Sequence, residues 1–170
     1  GRYAPNKCQH RLVAAFAHYL ALDPEARLIL VGGGESHDPY VQHLQQTIDR
    51  YGIRERVIMP GHITDTQLHA YYRTAHLFWS MSEHEGFCVP LIEAMWFDVP
   101  ILAYKSSAIP ETLDDAGILL TAPSDLRAMA AAAKLLARDP ELRAKVLRAQ
   151  RRRREAFLPQ TVWPVWQALI

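Results

Sequence analysis

Hydrophobic and polar positions follow two patterns along the chain, one typical of amphipathic helices and one typical of buried strands. Residues 8–22 repeat apolar side chains at helical spacing. The next stretch, ARLILV, is almost entirely apolar and runs into three glycines, which is typical of a strand buried on both faces. The same reasoning predicts strands at 26–31, 57–61, 75–80, 99–104 and 117–121, and helices at 8–22, 39–51, 64–74, 90–97, 124–137, 140–156 and 160–169.

Short apolar strands that alternate with helices predict the fold class. They indicate an α/β protein with a parallel sheet covered by helices on both faces, a three-layer sandwich. A chain of 170 residues is long enough for one domain, so we expect residues 1–170 to form a single unit. Ligands bind such sheets beyond the carboxyl ends of the strands. The segments to inspect are therefore 32–37, 60–65, 81–89 and 104–111.

Composition and charge exclude several classes of function. Nineteen Lys and Arg balance eighteen Asp and Glu for a net charge of +1, which argues against non-specific nucleic-acid binding over the whole surface but not against a local basic patch. No apolar run reaches the roughly 18 residues of a membrane span. Two cysteines, Cys8 and Cys88, give neither a disulfide framework nor a paired-cysteine zinc site, and a reducing, cytoplasmic setting is expected. The chain begins without Met and ends inside a helical pattern, so we expect a fragment of a longer protein.

The segment SEHEGFCVPLIEAM (82–95) contains the densest candidate chemistry. Glu85 falls in the loop after the third strand, Pro90 suits the first turn of a helix, and Glu93 lies about one turn further on. The two carboxylates could face one ligand from two sides, and an anion would meet the free N–H groups around Cys88. A capping carboxylate followed by an exposed helix glutamate explains the same residues equally well. The segment alone does not decide between the two interpretations.

In its wider context the sequence resembles the retaining, nucleotide-sugar-dependent glycosyltransferases of family 4, which have the GT-B fold. Glu85 and Glu93 match that family's Glu-x7-Glu motif within EGF-x-x-P-x-x-EAM. Further matches follow in order along essentially the whole chain: GRYAPNK, LVGGG, VIMPGHI, LHAYYRTAHLFWSMS, IPETLDDAGILL and DPELR. GT-B enzymes have two facing Rossmann-like domains, and this chain matches the C-terminal, donor-binding one. The resemblance implies that an acceptor-binding domain precedes Gly1.

The resemblance also implies roles for individual residues. Arg2 and Lys7 would be catalytic residues that hold the donor diphosphate, since cations stabilise the charge that grows on a leaving phosphate. Glu93 would accept hydrogen bonds from the ribose hydroxyls, and Glu85 would lie near the donor sugar as a catalytic residue. Backbone contacts are implied for the remaining members of the site: Phe87, Cys88 and Val89 to sugar and phosphate, His62 and Ile63 to the base, and Gly33 and Gly34 where the nucleotide approaches the chain.

The implied activity is transfer of a hexose from a nucleotide-diphosphate sugar, with retention, to a glycan or lipid-linked acceptor. Polysaccharide or lipopolysaccharide assembly is the family-level context. No D-x-D occurs in the sequence, so we expect a metal-independent site with no cofactor besides the donor substrate. The resemblance also implies that the isolated chain binds nucleotide weakly and does not transfer sugar, because half of the active-site cleft lies elsewhere.

Several residues depart from the family pattern or carry a second interpretation. Cys88 and Asp98 stand where the family usually has glycine; Cys88 would narrow the sugar pocket or simply pack, and Asp98 would form a turn. The basic run 151–154 is either a solvated helix face or a contact with anionic lipid at the inner face of the membrane. Trp163 and Trp166 would be an interface with the acceptor domain.

Two other classes of protein stay open. A nucleotide-sugar epimerase of GT-B fold would share the sheet and the nucleotide cleft. A non-catalytic α/β nucleotide-binding or receiver-like module would need acidic clusters at its strand ends, where this chain offers glycine, His62 and serine. A dinucleotide-binding enzyme is disfavoured, because G-x-G-x-x-G from Gly32 would require glycine where His37 stands.

Overall fold

A computed structural model of the chain describes residues 1–122 and 124–168. Its strands are β1 (Leu28–Val31), β2 (Val57–Gly61), β3 (Phe78–Ser80), β4 (Ile101–Tyr104) and β5 (Ile118–Leu120). Its helices are α1 (Gln9–Leu20), α2 (Pro39–Arg50), α3 (Asp65–Thr74), α4 (Val89–Trp96), α5 (Ile109–Leu113), α6 (Leu126–Arg138), α7 (Pro140–Arg154) and α8 (Pro159–Gln167). Single 3₁₀ turns lie at Pro5–Lys7, Arg54–Arg56 and Glu155–Phe157.

The predicted elements agree with this structure, with differences at a few ends. The strand predicted at 75–80 begins only at Phe78. The short helix α5 was not predicted, because five residues are too few for a helical repeat to be read. The predicted helix 160–169 corresponds to α8, and its last residue, Leu169, lies outside the described residues.

Local side-chain chemistry explains where several helices begin and end. Thr64 caps α3 through a capping box, in which its hydroxyl accepts from the Gln67 N–H at 3.3 Å and its own N–H donates to the Gln67 side chain at 3.0 Å. Asp38 and Asp139 cap α2 and α7 in the simpler way, by accepting N–H bonds with a carboxylate oxygen. Gly52 follows α2 with φ +64°, a conformation that glycine adopts without strain.

The strands are parallel, as predicted, but they form two sheets rather than one. β1 pairs with β2, and β3, β4 and β5 form a second sheet in that order. A cavity of about 640 Å³ lies between β1 and β3 and is lined by residues of both strands. The two sheets are therefore not hydrogen-bonded to each other, which is the one correction to the predicted architecture.

Two apolar clusters pack against the sheets. The larger one joins α1, α2 and α6 to β1, with Val13, Leu44 and Leu136 fully buried. The smaller one surrounds β4, where Leu91, Met95 and the buried residues of α5 meet. These clusters fix α4 and α5 at the carboxyl ends of β3 and β4, the edge at which ligands bind in α/β sheets.

The basic run at the end of α7 belongs to this packing. Arg151 and Arg154 bind Asp98, and Arg152 binds Asp115 at 2.8 Å. Arg153 donates to the backbone oxygens of Glu111 and Thr112. The run is therefore neither a purely solvated face nor a set of free cations, since each arginine has an intramolecular partner. Separately, within the described ranges no helix is both long and apolar enough to cross a bilayer.

Candidate functional site

Lys7 and Glu85, 78 positions apart in the sequence, meet in an ion pair. The Lys7 Nζ lies 2.6 Å from the Glu85 Oε2. Lys7 ends the first 3₁₀ turn, and Glu85 lies in the loop that connects β3 to α4. The side chains are only partly open to solvent, 33% for Lys7 and 10% for Glu85, so water screens the pair weakly. The structure thus brings together two of the three residues predicted to be catalytic.

Hydroxyl groups hold the loop that carries Glu85. The buried Ser82 donates to the Asn6 oxygen at 3.1 Å, and Ser106 donates to the Ser82 oxygen at 2.5 Å. Ser107 donates to the backbone oxygen of Glu85 at 2.8 Å, and Thr112 reaches that of Phe87 at 2.7 Å. Sequence reasoning pointed to the segments 81–89 and 104–111, which contain the three serines, but gave these serines no role and missed Thr112. Their signal was only that hydroxyl residues follow β3 and β4.

Cys88 begins α4 in the left-handed conformation, with φ 65° and ψ 61°. That backbone explains why the family usually has glycine here, since a side chain is strained in this region. Burial, and next the neighbouring Glu85, raise the pKa of the Cys88 thiol to about 12, so it stays protonated near neutral pH. Cys88 lines the cavity with its small side chain, and such a thiol is a poor nucleophile.

The start of α4 has backbone N–H groups without helix hydrogen bonds, and Cys88 and Pro90 there line the cavity. Cys88, the N-cap residue of α4, forms no side-chain capping bond, and Pro90 contributes no N–H. The N–H groups of Cys88 and Val89 lie before the first intrahelical hydrogen bond, where a helix attracts anions. That Cys88 and Val89 donate these N–H groups to a sugar or phosphate stays a prediction.

Glu93 lies one turn further along α4 and is bound by Tyr72. The Tyr72 hydroxyl donates to the Glu93 Oε2 at 3.0 Å. The Tyr72 ring is buried and stacks on Phe97 with centroids 5.2 Å apart and planes 5° from parallel. Burial, followed by the charge of Glu93, raises the pKa of Tyr72, so the phenol stays a proton donor. Sequence reasoning missed Tyr72, because only the fold brings α3 beside α4.

The glycine turn after β1 packs against the protein's own side chains. A Cβ on Gly33 would collide with the imidazole of His62, and one on Gly34 would lie 2.6 Å from Val41 and 3.0 Å from Tyr3. Arg2 forms a parallel bridge with Gly33. A side chain at Gly34 would thus crowd Val41 and Tyr3, whereas one at Gly33 would displace the exposed imidazole of His62. That a nucleotide also approaches the chain at Gly33 and Gly34 stays a prediction.

The predicted residues divide into two sets around the cavity. Five of them line it: Arg2, Lys7, Glu85, Cys88 and Glu93. The remaining ones lie outside its lining, namely Gly33, Gly34, His62, Ile63, Phe87 and Val89. Phe87 and Val89 are half exposed, and the Phe87 ring packs edge-on against Phe157 at 5.6 Å. Across residues 1–122 and 124–168, no three His, Cys, Asp or Glu side chains come together as a metal site.

A cation, two carboxylates and a helix N-terminus thus share the carboxyl edge of a parallel sheet. This arrangement defines an α/β domain whose cation and free N–H groups could bind an anion at the edge where ligands bind such sheets. The family model for glycosyl transferases group 1 matches residues 1–153, and the chain belongs to that family.

Curated relatives support the same assignment over part of their length. The chain is 32% identical over 146 residues to D-inositol 3-phosphate glycosyltransferase of Segniliparus rotundus, covering 85% of this chain and 32% of that protein. It is 35% identical over 104 residues to mannosylfructose-phosphate synthase of Agrobacterium fabrum, covering 59% of this chain and 23% of that protein.

Solved structures share the fold along nearly the whole chain. Anabaena HepE in complex with UDP and glucose has a TM-score of 0.84 at 28% identity, covering 99% of this chain and 46% of that one. Sucrose-phosphate synthase from Thermosynechococcus elongatus also has a TM-score of 0.84, at 27% identity, covering 99% of this chain and 43% of that one. The chain therefore spans less than half of these proteins, and its fold is that of GT-B glycosyltransferases.

Proposed function

We propose that the chain is the donor-binding domain of a retaining, metal-independent glycosyltransferase that transfers a hexose from a nucleotide-diphosphate sugar to a glycan or lipid-linked acceptor. The Lys7–Glu85 pair beside the start of α4 carries the proposal. It supplies a cation and N–H groups for a diphosphate at one end of the cavity and a carboxylate near the sugar. Glu93 supplies an acceptor for ribose hydroxyls nearby.

The proposed chemistry follows from these charges. As the bond between sugar and phosphate breaks, negative charge accumulates on the leaving diphosphate. Lys7 and the free N–H groups of Cys88 and Val89 stabilise that charge in a partly buried site, where electrostatic interactions are strong. Arg2, at the same cavity, adds a second positive charge. In this proposal Glu85 positions Lys7 while the diphosphate is absent and faces the sugar once it is bound.

Known relatives supply the ligand class. HepE is known in complexes with UDP and with UDP-glucose. Several curated relatives, at 28–37% identity, are mannosyltransferases, some of them GDP-mannose-dependent, and they include O-antigen chain mannosyltransferase B of Escherichia coli. These names support a nucleotide-diphosphate hexose as the donor of this chain, with a glycan or lipid-linked acceptor.

Helix α8 has an exposed apolar surface, which bears on how the chain contacts an acceptor-binding domain. Four apolar residues on α8 are about half exposed or more: Val162, Trp163, Val165 and Trp166. We assign this surface to contact with the acceptor-binding domain. We also keep peripheral contact with an anionic membrane as part of the proposal, although Arg151–Arg154 already have partners within the chain.

Calorimetric titration with UDP, GDP and ADP tests the proposal directly. We expect one nucleotide to bind, and both Lys7→Ala and Glu93→Ala to weaken that binding roughly tenfold or more, since each removes a charged hydrogen-bonding partner. Lys145→Ala and Glu55→Ala change exposed residues of the same types elsewhere and serve as matched controls. Equal affinities in all four variants, or no nucleotide binding by the full-length protein, would contradict the proposed site.

A further inference from the structure

Two histidines on neighbouring helices lie side by side, outside the cavity of the proposed donor site. His10 lies in the first turn of α1 and His43 in the second turn of α2. Their ring centres are 5.3 Å apart, and the ring planes are tilted by 59°. His10 is half-buried and His43 is exposed, and neither lines that cavity. The pair is therefore a separate cluster of side chains that can bind a metal ion.

A series of hydrogen bonds assigns the proton on the His10 ring. The Gln9 Nε2 donates to the Arg2 oxygen at 3.1 Å, so the Gln9 Oε1 accepts from the Tyr40 hydroxyl at 3.0 Å. That hydroxyl has a single proton, and its oxygen must accept in the 3.1 Å contact with the His10 Nδ1. The Nδ1 of His10 therefore carries the proton, and its Nε2 has a lone pair.

This is the form in which histidine binds a metal ion through Nε2. In metal sites the other ring nitrogen almost always donates to an oxygen that orients the ring, and the Tyr40 oxygen is in that position here. Burial, and next the neighbouring His43, lower the pKa of His10, so the ring is neutral near pH 7. The positive charge of the adjacent Arg11 is paired with Glu83, which reduces its repulsion of a bound cation.

The separation of the two rings fits one shared ion. A zinc ion lies about 2.0–2.1 Å from an imidazole nitrogen and hence about 3.2 Å from the ring centre. At a tetrahedral angle, two such rings have centres about 5.2 Å apart, close to the observed 5.3 Å. In the part of the chain that the structure describes, no third His, Cys, Asp or Glu joins them. Water, which reaches the exposed His43, completes the coordination.

We propose that His10 and His43 bind one divalent transition-metal ion of the group Ni²⁺, Cu²⁺ and Zn²⁺ between α1 and α2. Imidazole nitrogens suit these ions, and Cu²⁺ binds most tightly of the three. The ion stabilises the folded chain, because ligands from two helices come together only when those helices are packed. This proposal is independent of the proposed function and gives the metal no part in sugar transfer.

Calorimetric titration of the chain, freed of any polyhistidine tag, with Cu²⁺ and separately with Zn²⁺ tests the proposal. We expect one ion per chain, and we expect His10→Ala and His43→Ala each to weaken binding at least about tenfold, since either leaves a single ligand. His18→Ala removes an imidazole about 12 Å further along α1 and is the matched control. At about a hundredfold excess over Kd, the ion should raise the thermal midpoint of the wild type by roughly 5 °C.

Tyr40→Phe tests the hydrogen bonds that orient His10. The variant keeps the ring and removes only the hydroxyl, and loss of such a partner typically weakens metal binding by about 10- to 100-fold. We therefore expect at least about tenfold weaker binding of Zn²⁺. Electron paramagnetic resonance of the Cu²⁺ complex should show two imidazole nitrogens in the wild type and one in His43→Ala.

Two results would overturn the proposal. One is equal affinity of the wild type and His43→Ala for both ions. The other is binding of several ions with one affinity in every variant, which would assign the metal to scattered surface histidines. His43 is exposed, so its substitution leaves the packing of α1 on α2 unchanged, as circular dichroism can check. If His10→Ala does not fold, His43→Ala alone decides the outcome.

Discussion

At the scale of single residues, substitutions at Cys88 measure how much its backbone conformation costs in stability. Its left-handed φ of 65° is strained for any side chain. Cys88→Gly and Cys88→Ala both remove the thiol, but only glycine relaxes at that φ. We therefore expect the glycine variant to be more stable than the alanine variant by about 1 kcal/mol in urea unfolding at pH 7. Equal stabilities would show that the backbone changes once the side chain is gone.

Tyr72 is the second residue whose substitution has a definite expected effect. Its hydroxyl binds the carboxylate of Glu93, which we propose accepts hydrogen bonds from the ribose. Tyr72→Phe keeps the ring stacked on Phe97 and removes only the hydroxyl that donates to Glu93. We expect the variant to bind the nucleotide identified by calorimetry about 3- to 10-fold more weakly, because Glu93 loses a charge-assisted hydrogen bond that orients it.

The matching 2′-deoxy and 3′-deoxy nucleotides separate positioning from general damage. If Tyr72 acts through Glu93, at least one of these ligands binds the wild type and Tyr72→Phe with nearly equal affinity. An equal loss of affinity for the ribonucleotide and both deoxynucleotides would assign Tyr72 a structural role only. Tyr71→Phe, on the same helix but less buried, is the control for loss of a tyrosine hydroxyl.

At the scale of secondary-structure elements, α7 binds the turn between α4 and β4 through Asp98. The hydrogen bond from Arg151 holds the pKa of the Asp98 carboxyl below its usual range. Asp98→Asn keeps a residue that tolerates φ 53° and removes the charge. Because both partners are partly exposed, we expect a loss of only about 0.5–1 kcal/mol at pH 7.

The difference in free energy of unfolding between wild type and Asp98→Asn should become smaller as the pH falls. A carboxyl whose pKa is lowered by folding stabilises the protein above its unfolded pKa of about 4, and that stabilisation disappears as the pH falls through the folded value. Urea unfolding of wild type and Asp98→Asn should therefore give free energies that differ at pH 7 and converge below about pH 4. A constant difference from pH 7 to pH 3 would exclude the ion pair as its source. Arg148→Ala, on the same helix, serves as a control.

The sequence predicts features that depend on neighbouring residues and misses those that depend on contacts between distant elements. Periodicity located the helices and strands, because the pattern it reads is local to each element. The family resemblance gave Lys7 and Glu85 separate roles, and their ion pair was not predicted. Tyr72, the serines that hold the loop and the partners of Arg151–Arg154 were missed, since they act between elements distant in sequence. The division of the sheet was missed because periodicity predicts strands but not their neighbours.

At the scale of the whole molecule, the decisive property is that the chain spans 46% of HepE and 43% of the sucrose-phosphate synthase it resembles. The apolar residues Val162, Trp163, Val165 and Trp166 of α8 are about half exposed or more. Fixing a donor and an acceptor in reactive geometry contributes roughly 7–11 kcal/mol to catalysis. A domain that fixes only the donor lacks most of that contribution.

We therefore expect the isolated 170-residue chain to bind its nucleotide and to transfer no sugar. The measurement incubates the chain with hexose conjugates of the nucleotide that binds, together with glycan and lipid-linked acceptors, and follows release of the nucleoside diphosphate and formation of glycoside. The full-length protein, assayed in parallel, should form product from at least one donor and lose that activity with Lys7→Ala. Glycoside formed by the isolated chain would contradict the prediction. Free sugar as the product of the full-length protein would instead favour an epimerase or hydrolase built on the same site, because only a transferase requires the acceptor that the missing half of the cleft would hold.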